Sequence, residues 1–106
     1  FTVLIMSRPK YYWFGFIQRT LERYPEQLIK DDTAMSKIAL VNIRKALEDT
    51  KKQRDGEDRV KLAEMLYFRR SHTIDGAAMV LHVSTRTAQQ WNSDLIYLIA
   101  DKMGFL

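Results

Sequence analysis

Residues 73–91 read Thr73-Ile74-Asp75-Gly76-Ala77-Ala78-Met79-Val80-Leu81-His82-Val83-Ser84-Thr85-Arg86-Thr87-Ala88-Gln89-Gln90-Trp91, and this stretch decides the fold class. It predicts helix, tight turn, helix. Thr73 can cap the first helix by offering its hydroxyl to the unpaired N–H groups of the first turn. Ala77 and Ala78 are small where a second helix must cross closely, and Leu81 and Val83 are apolar on either side of the turn. Ser84 is a favourable cap for the second helix. Ala88 and Trp91 lie four and seven residues after Ser84, so both face inward. The outer face is left with Thr85, Arg86, Gln89, Gln90 and Ser93, side chains that can hydrogen-bond to base edges in a major groove. An ordinary helical corner also has small crossing residues and a Ser cap. Here, however, every inward position is apolar, and no acid interrupts the outward face before Asp94.

The turn itself is unusual. A helix-turn-helix turn often carries Gly because it takes a positive φ, and here the position is His82. His, Asn and Asp are the non-glycine residues most tolerated in that conformation. His82 is therefore expected to be a turn residue rather than a catalytic or metal-binding one.

Working outward, almost everything reads as helix. Residues 10–24 carry Tyr11, Tyr12, Trp13, Phe14, Phe16 and Tyr24, with Ile17 and Leu21 continuing an apolar stripe at helical spacing. A strand over residues 11–17 is the alternative, but residues 18–23 are plainly helical and continuous with it. Pro25 ends this helix and begins a short turn through Ile29. Asp31-Asp32-Thr33 starts a long helix reaching about Lys52. Met35, Ile38, Ala39 and Ala46 form one apolar stripe on it, and Leu40, Ile43 and Leu47 another. A helix apolar on two faces needs two partners, either both within this core or one from a second subunit. Gln53-Arg54-Asp55-Gly56 breaks the pattern. The next helix begins at Glu57 or Asp58, turns Val60, Ala63, Leu66 and Tyr67 inward, and ends near Arg69-Arg70, where cations suit the helix dipole. Those arginines also sit just before the motif, where phosphate contacts are commonly made; a solvated helix end is the competing reading. The last helix runs from Thr85 to about Met103, buries Leu95, Leu98, Ile99 and Met103, and stops at Gly104. Its first two turns suffice for a groove, and the remainder is expected to dock on the core or on a partner.

The fold expected is thus all-α: an N-terminal helical region over residues 1–55, offering a surface for oligomerisation or a partner, then a helix-turn-helix region over residues 56–106. A chain of 106 residues that is 46% apolar is long and apolar enough for one packed domain. With no Cys there are no disulfides or thiolate metal sites, which suits a reducing cytoplasm. His72 and His82 supply no metal-ligand spacing, and no nucleophile–base set or Gly-rich phosphate loop is present. Enzymatic activity and cofactors are accordingly not expected. No apolar run approaches the roughly 20 residues that span a membrane. Residues 1–6 are apolar but precede rather than follow their basic neighbours Arg8 and Lys10, unlike a signal peptide. Met6-Ser7-Arg8 reads as a natural start, with residues 1–5 an addition.

The net charge is +4, and all of it lies in residues 1–55, with 11 Lys/Arg against 7 Asp/Glu; residues 56–106 hold 6 of each. The basic run Lys51-Lys52-Gln53-Arg54 follows closely on Arg44 and Lys45. Non-specific DNA affinity scales with the phosphates neutralised. One copy is therefore expected to bind double-stranded DNA weakly, and a homodimer or a protein partner such as RNA polymerase to raise affinity through effective concentration.

Residues 69–106 resemble the C-terminal region of the ArpU/RinA family of phage transcriptional regulators. The resemblance is carried by His72-Thr73-Ile74-Asp75-Gly76-Ala77-Ala78, by Leu81 through Asn92, and by Ile99-Ala100 to Gly104. The Tyr24-Pro25 pair after an aromatic helix is similar to the family's N-terminal part. The resemblance implies a helix-turn-helix of the sigma region 4-like type and activation of phage or prophage late genes in a bacterial host cell. It also implies that Ser84, Thr85, Arg86, Gln89 and Gln90 face the bases, while Thr73 and Arg70 face phosphates. Two other roles compete: a small terminase-like protein that recognises packaging sites, and a protein-interaction module such as an antirepressor or a polymerase-binding adaptor.

Overall fold

The computed structural model describes residues 12–105, and no strand occurs among them. The readings made for residues 1–11 lie outside the described residues. Helix α1 spans Tyr12–Arg23, α2 Glu26–Asp31, α3 Ala34–Lys51, α4 Gly56–Ala63, α5 Ile74–Leu81 and α6 Thr85–Lys102. A π-helical turn, Glu64–Phe68, continues α4.

Three helices begin on the hydroxyl that the sequence offers. Thr33 accepts from Ser36 N–H, Thr73 from Gly76 N–H and Ser84 from Thr87 N–H. The connections between helices are less ordinary. Asp32, Asp55, Arg70 and His82 all adopt positive φ, between 48° and 58°, and only Gly104 among the described left-handed residues is a glycine. His82 therefore holds the conformation expected of it. At the end of α5 Val83 N–H reaches the Ala78 carbonyl at 3.0 Å, and at the end of α6 Phe105 N–H reaches that of Ala100 at 2.8 Å. Both bonds satisfy carbonyls that the helix end leaves unpaired.

The end of α4 departs from the expected continuous α-helix. Arg69 N–H bonds to the Glu64 carbonyl five residues back, at 2.8 Å, so the final turn is wider by one residue. Arg70 then turns left-handed, and the N–H groups of Ser71 and His72 both reach the Met65 carbonyl. The helix also begins earlier than expected, at Gly56, with Asp55 rather than the glycine taking the positive φ.

Two buried clusters organise the chain. The main one joins Trp13, Ile17 and Leu21 of α1, Leu28 of α2 and Ala39, Ile43 and Ala46 of α3 to Ala63, Tyr67, Leu95, Ile96, Ile99 and Ala100. It draws on both sides of the α3–α4 turn. Burying a side chain the size of Ile43 stabilises by about 1.5–3 kcal/mol. Trp13 meets Tyr97 edge-on, with centroids 5.3 Å apart. The second cluster holds Leu62, Met65, Ala77, Ala78, Ala88 and Trp91. Helix α6 serves both. Its first half packs against α5 through Ala88 and Trp91, and its second half is embedded in the main core. This accounts for a helix of 18 residues, about 27 Å long.

Helix α3 buries one face, not two. Ala39, Ile43 and Ala46 are buried and Leu40 and Leu47 half-buried, while Met35 and Ile38 remain 55% and 50% exposed. In α4, Val60 and Leu66 are only half-buried, and Leu62 and Met65 are the fully buried positions beside Ala63 and Tyr67.

Candidate nucleic-acid interface

Helix α6 is presented by a short corner. Only His82, Val83 and Ser84 separate α5 from α6. Ala77, Ala78 and Ala88 are buried where the two helices cross, and their small side chains allow the close approach. With the inward face fixed by Ala88 and Trp91, the helical period turns Arg86, Gln89, Gln90 and Ser93 away from the core.

The structure treats the sequence-predicted residues differently. Arg86 and Gln89 are exposed and make no hydrogen bond or ion pair among the described residues. They stand free for a ligand on the first two turns of α6. Thr85 and Ser93 are half-buried. Thr73 and Ser84 are exposed but already act as caps. The Ser84 hydroxyl accepts from Thr87 N–H and donates to Thr87 Oγ1, each at 3.0 Å. Arg70 stands apart from α6. It lines a cleft with Glu22, Arg23, Tyr24, Pro25 and Phe68, on the side of the α1–α2 corner.

Gln90 belongs to a linked set. Its Nε2 donates to Asp94 Oδ1 at 2.8 Å, and Asp94 Oδ2 accepts from Arg59 Nη1 at 3.1 Å. The Arg59 guanidinium lies over the Trp91 ring, 5.5 Å from its centroid, and Arg59 Nε donates to the Arg54 carbonyl at 3.0 Å. Cation–ring contact and ion pair together hold the α3–α4 turn beside α6. Sequence reasoning missed Arg59 altogether. The Gln90–Asp94 pair has helical i, i+4 spacing and was legible in principle. Arg59 lies 35 residues from Asp94, and nothing local marks it.

A second tether anchors the middle of α6. Tyr67 Oη donates to Asn92 Oδ1 and accepts from Gln18 Nε2 at 3.3 Å. Burial pushes the Tyr67 phenol above its ordinary value, with the two hydrogen bonds opposing. The phenol stays neutral and spans α1, the π turn and α6.

The electrostatics of the outward face are sparse. Arg86 is its one strong cation, and the acid at Asp94 is neutralised by Arg59. Lys51 at the end of α3, and Lys52 and Arg54 in the turn that Arg59 ties to α6, are all exposed and without an ion pair among the described residues. Among the described residues no group of three or more His, Cys, Asp or Glu side chains is placed to hold a metal ion. None of their helices is long and apolar enough to cross a membrane. No protein-family model, curated protein or solved structure matches this chain.

Proposed function

We propose that the chain is a sequence-specific DNA-binding transcriptional regulator that reads the major groove with the first turns of α6. One observation carries the reading. Arg86 and Gln89 are free, exposed and polar on a helix start whose opposite face is locked by Ala88 and Trp91. Arg86 suits a bidentate contact to guanine, and Gln89 or Gln90 one to adenine. The N–H groups at the head of α6 suit a phosphate, and Lys51, Lys52 and Arg54 supply further charge nearby. The resemblance of residues 69–106 to the ArpU/RinA regulators supports a role in activating phage or prophage late genes, in partnership with RNA polymerase or as a homodimer.

The test is selection from a random-sequence duplex library at near-physiological salt, with Arg86→Ala in parallel. The wild type is expected to enrich a motif. The variant is expected to lose about 1–3 kcal/mol and to relax preference at one base pair. A motif unchanged by Arg86→Ala rules out the assignment of that contact, and no enrichment by the wild type rules out unaided reading. A second reading, a protein-docking module, has its own support in Met35 and Ile38 on α3 and in Met79 on α5, the last 78% exposed. Exposed apolar side chains are common on folded proteins and do not by themselves mark an interface, which places this reading second.

A further inference from the structure

Among the outward residues of α6, Gln90 is the one whose side chain is already held. Its Nε2 donates to Asp94 Oδ1 at 2.8 Å, one turn further along the helix. Asp94 is itself held: Arg59 Nη1 donates to its other oxygen at 3.1 Å, and the Arg59 side chain is only 18% exposed. Arg59 is fixed in turn by the Arg54 carbonyl and by the face of Trp91. Gln89, one residue earlier, has no such bond among the described residues.

An ionised carboxylate accepts hydrogen bonds and donates none. Gln90 must therefore turn its NH₂ group toward Asp94, and the amide cannot flip without placing its oxygen against a negative charge. An amide nitrogen carries two hydrogens. Asp94 takes one; the other Nε2 hydrogen and Oε1 remain, a donor and an acceptor whose order the carboxylate fixes. Adenine offers the complementary edge in the major groove, N7 as acceptor and the N6 amino group as donor. Arg59 completes the arrangement by neutralising a carboxylate that would otherwise repel nearby phosphates.

We infer that Asp94, held by Arg59, is a positioning residue that makes Gln90 rather than Gln89 the adenine-selecting contact of α6. The inference rests on the DNA-reading function proposed above. It makes the base preference of one position depend on a residue that need not touch the base.

Two measurements test it. In the free wild-type protein, the Gln90 side-chain amide protons are expected to exchange more slowly than those of Gln89 and to be more widely separated by NMR. Asp94→Asn is expected to shift the Gln90 pair and leave that of Gln89 in place, because Asn can donate as well as accept. Gln90 protons indistinguishable from those of Gln89 in the wild type overturn the inference, and this arm needs neither DNA nor a variant. In the second arm, duplexes changed at single base pairs compete for wild type, Gln90→Ala and Asp94→Asn. The wild type is expected to prefer adenine by about 5- to 100-fold at the pair whose preference Gln90→Ala removes. Asp94→Asn is expected to remove most of that preference and to keep the one set by Arg86. An unchanged profile for Asp94→Asn, or an equal weakening at every position, overturns the inference and leaves DNA reading standing. No selective binding by the wild type removes the DNA reading itself, and the inference with it.

Discussion

Replacing Gly56 by Ala reverses an expectation that the sequence alone would support. At the head of a helix, Gly→Ala ordinarily stabilises by about 0.4–1 kcal/mol, because it restricts the unfolded chain. In the fold, a Cβ on Gly56 would lie 2.1 Å from the Lys51 carbonyl oxygen, 2.5 Å from the Lys51 carbonyl carbon and 2.6 Å from the Thr50 carbonyl oxygen. All three atoms are backbone in the last turn of α3, so no rotamer change relieves them. The start of α4 must move away from the end of α3. Overpacking that forces backbone shifts costs about 1–3 kcal/mol, occasionally more. Three simultaneous backbone clashes put Gly56→Ala at the upper end, a net loss of about 3 kcal/mol. At roughly 4–8 °C per kcal/mol for a small domain, the thermal midpoint should fall by about 12–24 °C. Two other glycines serve as controls in the same calorimetric or circular-dichroism melts. A Cβ on Gly15 would meet only Arg19 Nη1, the far end of a flexible side chain, at 3.3 Å. Gly15→Ala should therefore stabilise by about 0.5–1 kcal/mol. Gly104 has open space but a φ of +86°, so Gly104→Ala should cost about 1–2 kcal/mol. A Gly56→Ala protein that melts at or above the wild type refutes the packing argument for the α3–α4 corner.

Two further predictions concern stability. Thr73→Ala and Ser84→Ala each remove a cap and should cost about 1 kcal/mol in denaturant or thermal unfolding, whereas Ser84→Gly should cost only a few tenths; equal losses for Ala and Gly at position 84 would mean that the hydroxyl does something other than cap. The acid limb of stability should depend on Asp31 and Asp49. Hydrogen bonds from Ser36 and Thr33, with Arg23 nearby, hold Asp31 below its ordinary value, and Lys102 does so for Asp49. A depressed carboxylate contributes stability that is present above its unfolded pKa and lost as pH falls through the lower folded one. The thermal midpoint should thus decline below about pH 4, and Asp31→Asn and Asp49→Asn should each make the decline shallower. An acid limb as steep in both variants as in the wild type would contradict those assignments. The base-pair tests of Arg86 and Asp94 complete the set.

What the sequence determined by itself is the part of the fold that depends on neighbours along the chain. Thr33, Thr73 and Ser84 cap helices because a hydroxyl reaches N–H groups only two or three residues ahead. His82 and Gly104 stop helices through their own backbone conformations. Ala88 and Trp91 face inward because the helical period leaves them no other direction once Ser84 marks the start. Tertiary structure decided the rest, where the deciding atom belongs to a distant segment. Met35 and Ile38 belong to the same apolar stripe as Ala39 and Ala46, yet they stay about half exposed among the described residues, and period alone cannot say which part of a stripe meets a partner. Gly56 looks like a flexible breaker and is instead a point of closest backbone approach. Arg70, legible as a basic residue ahead of the corner, becomes the left-handed stop of a π turn and faces the α1–α2 side. Arg59 comes to Asp94 and Trp91 from 35 and 32 residues away, because α4 lies beneath α6. The Gln90–Asp94 bond follows from spacing within one helix, but the hold that Arg59 puts on Asp94 depends on packing between helices, which no local pattern encodes.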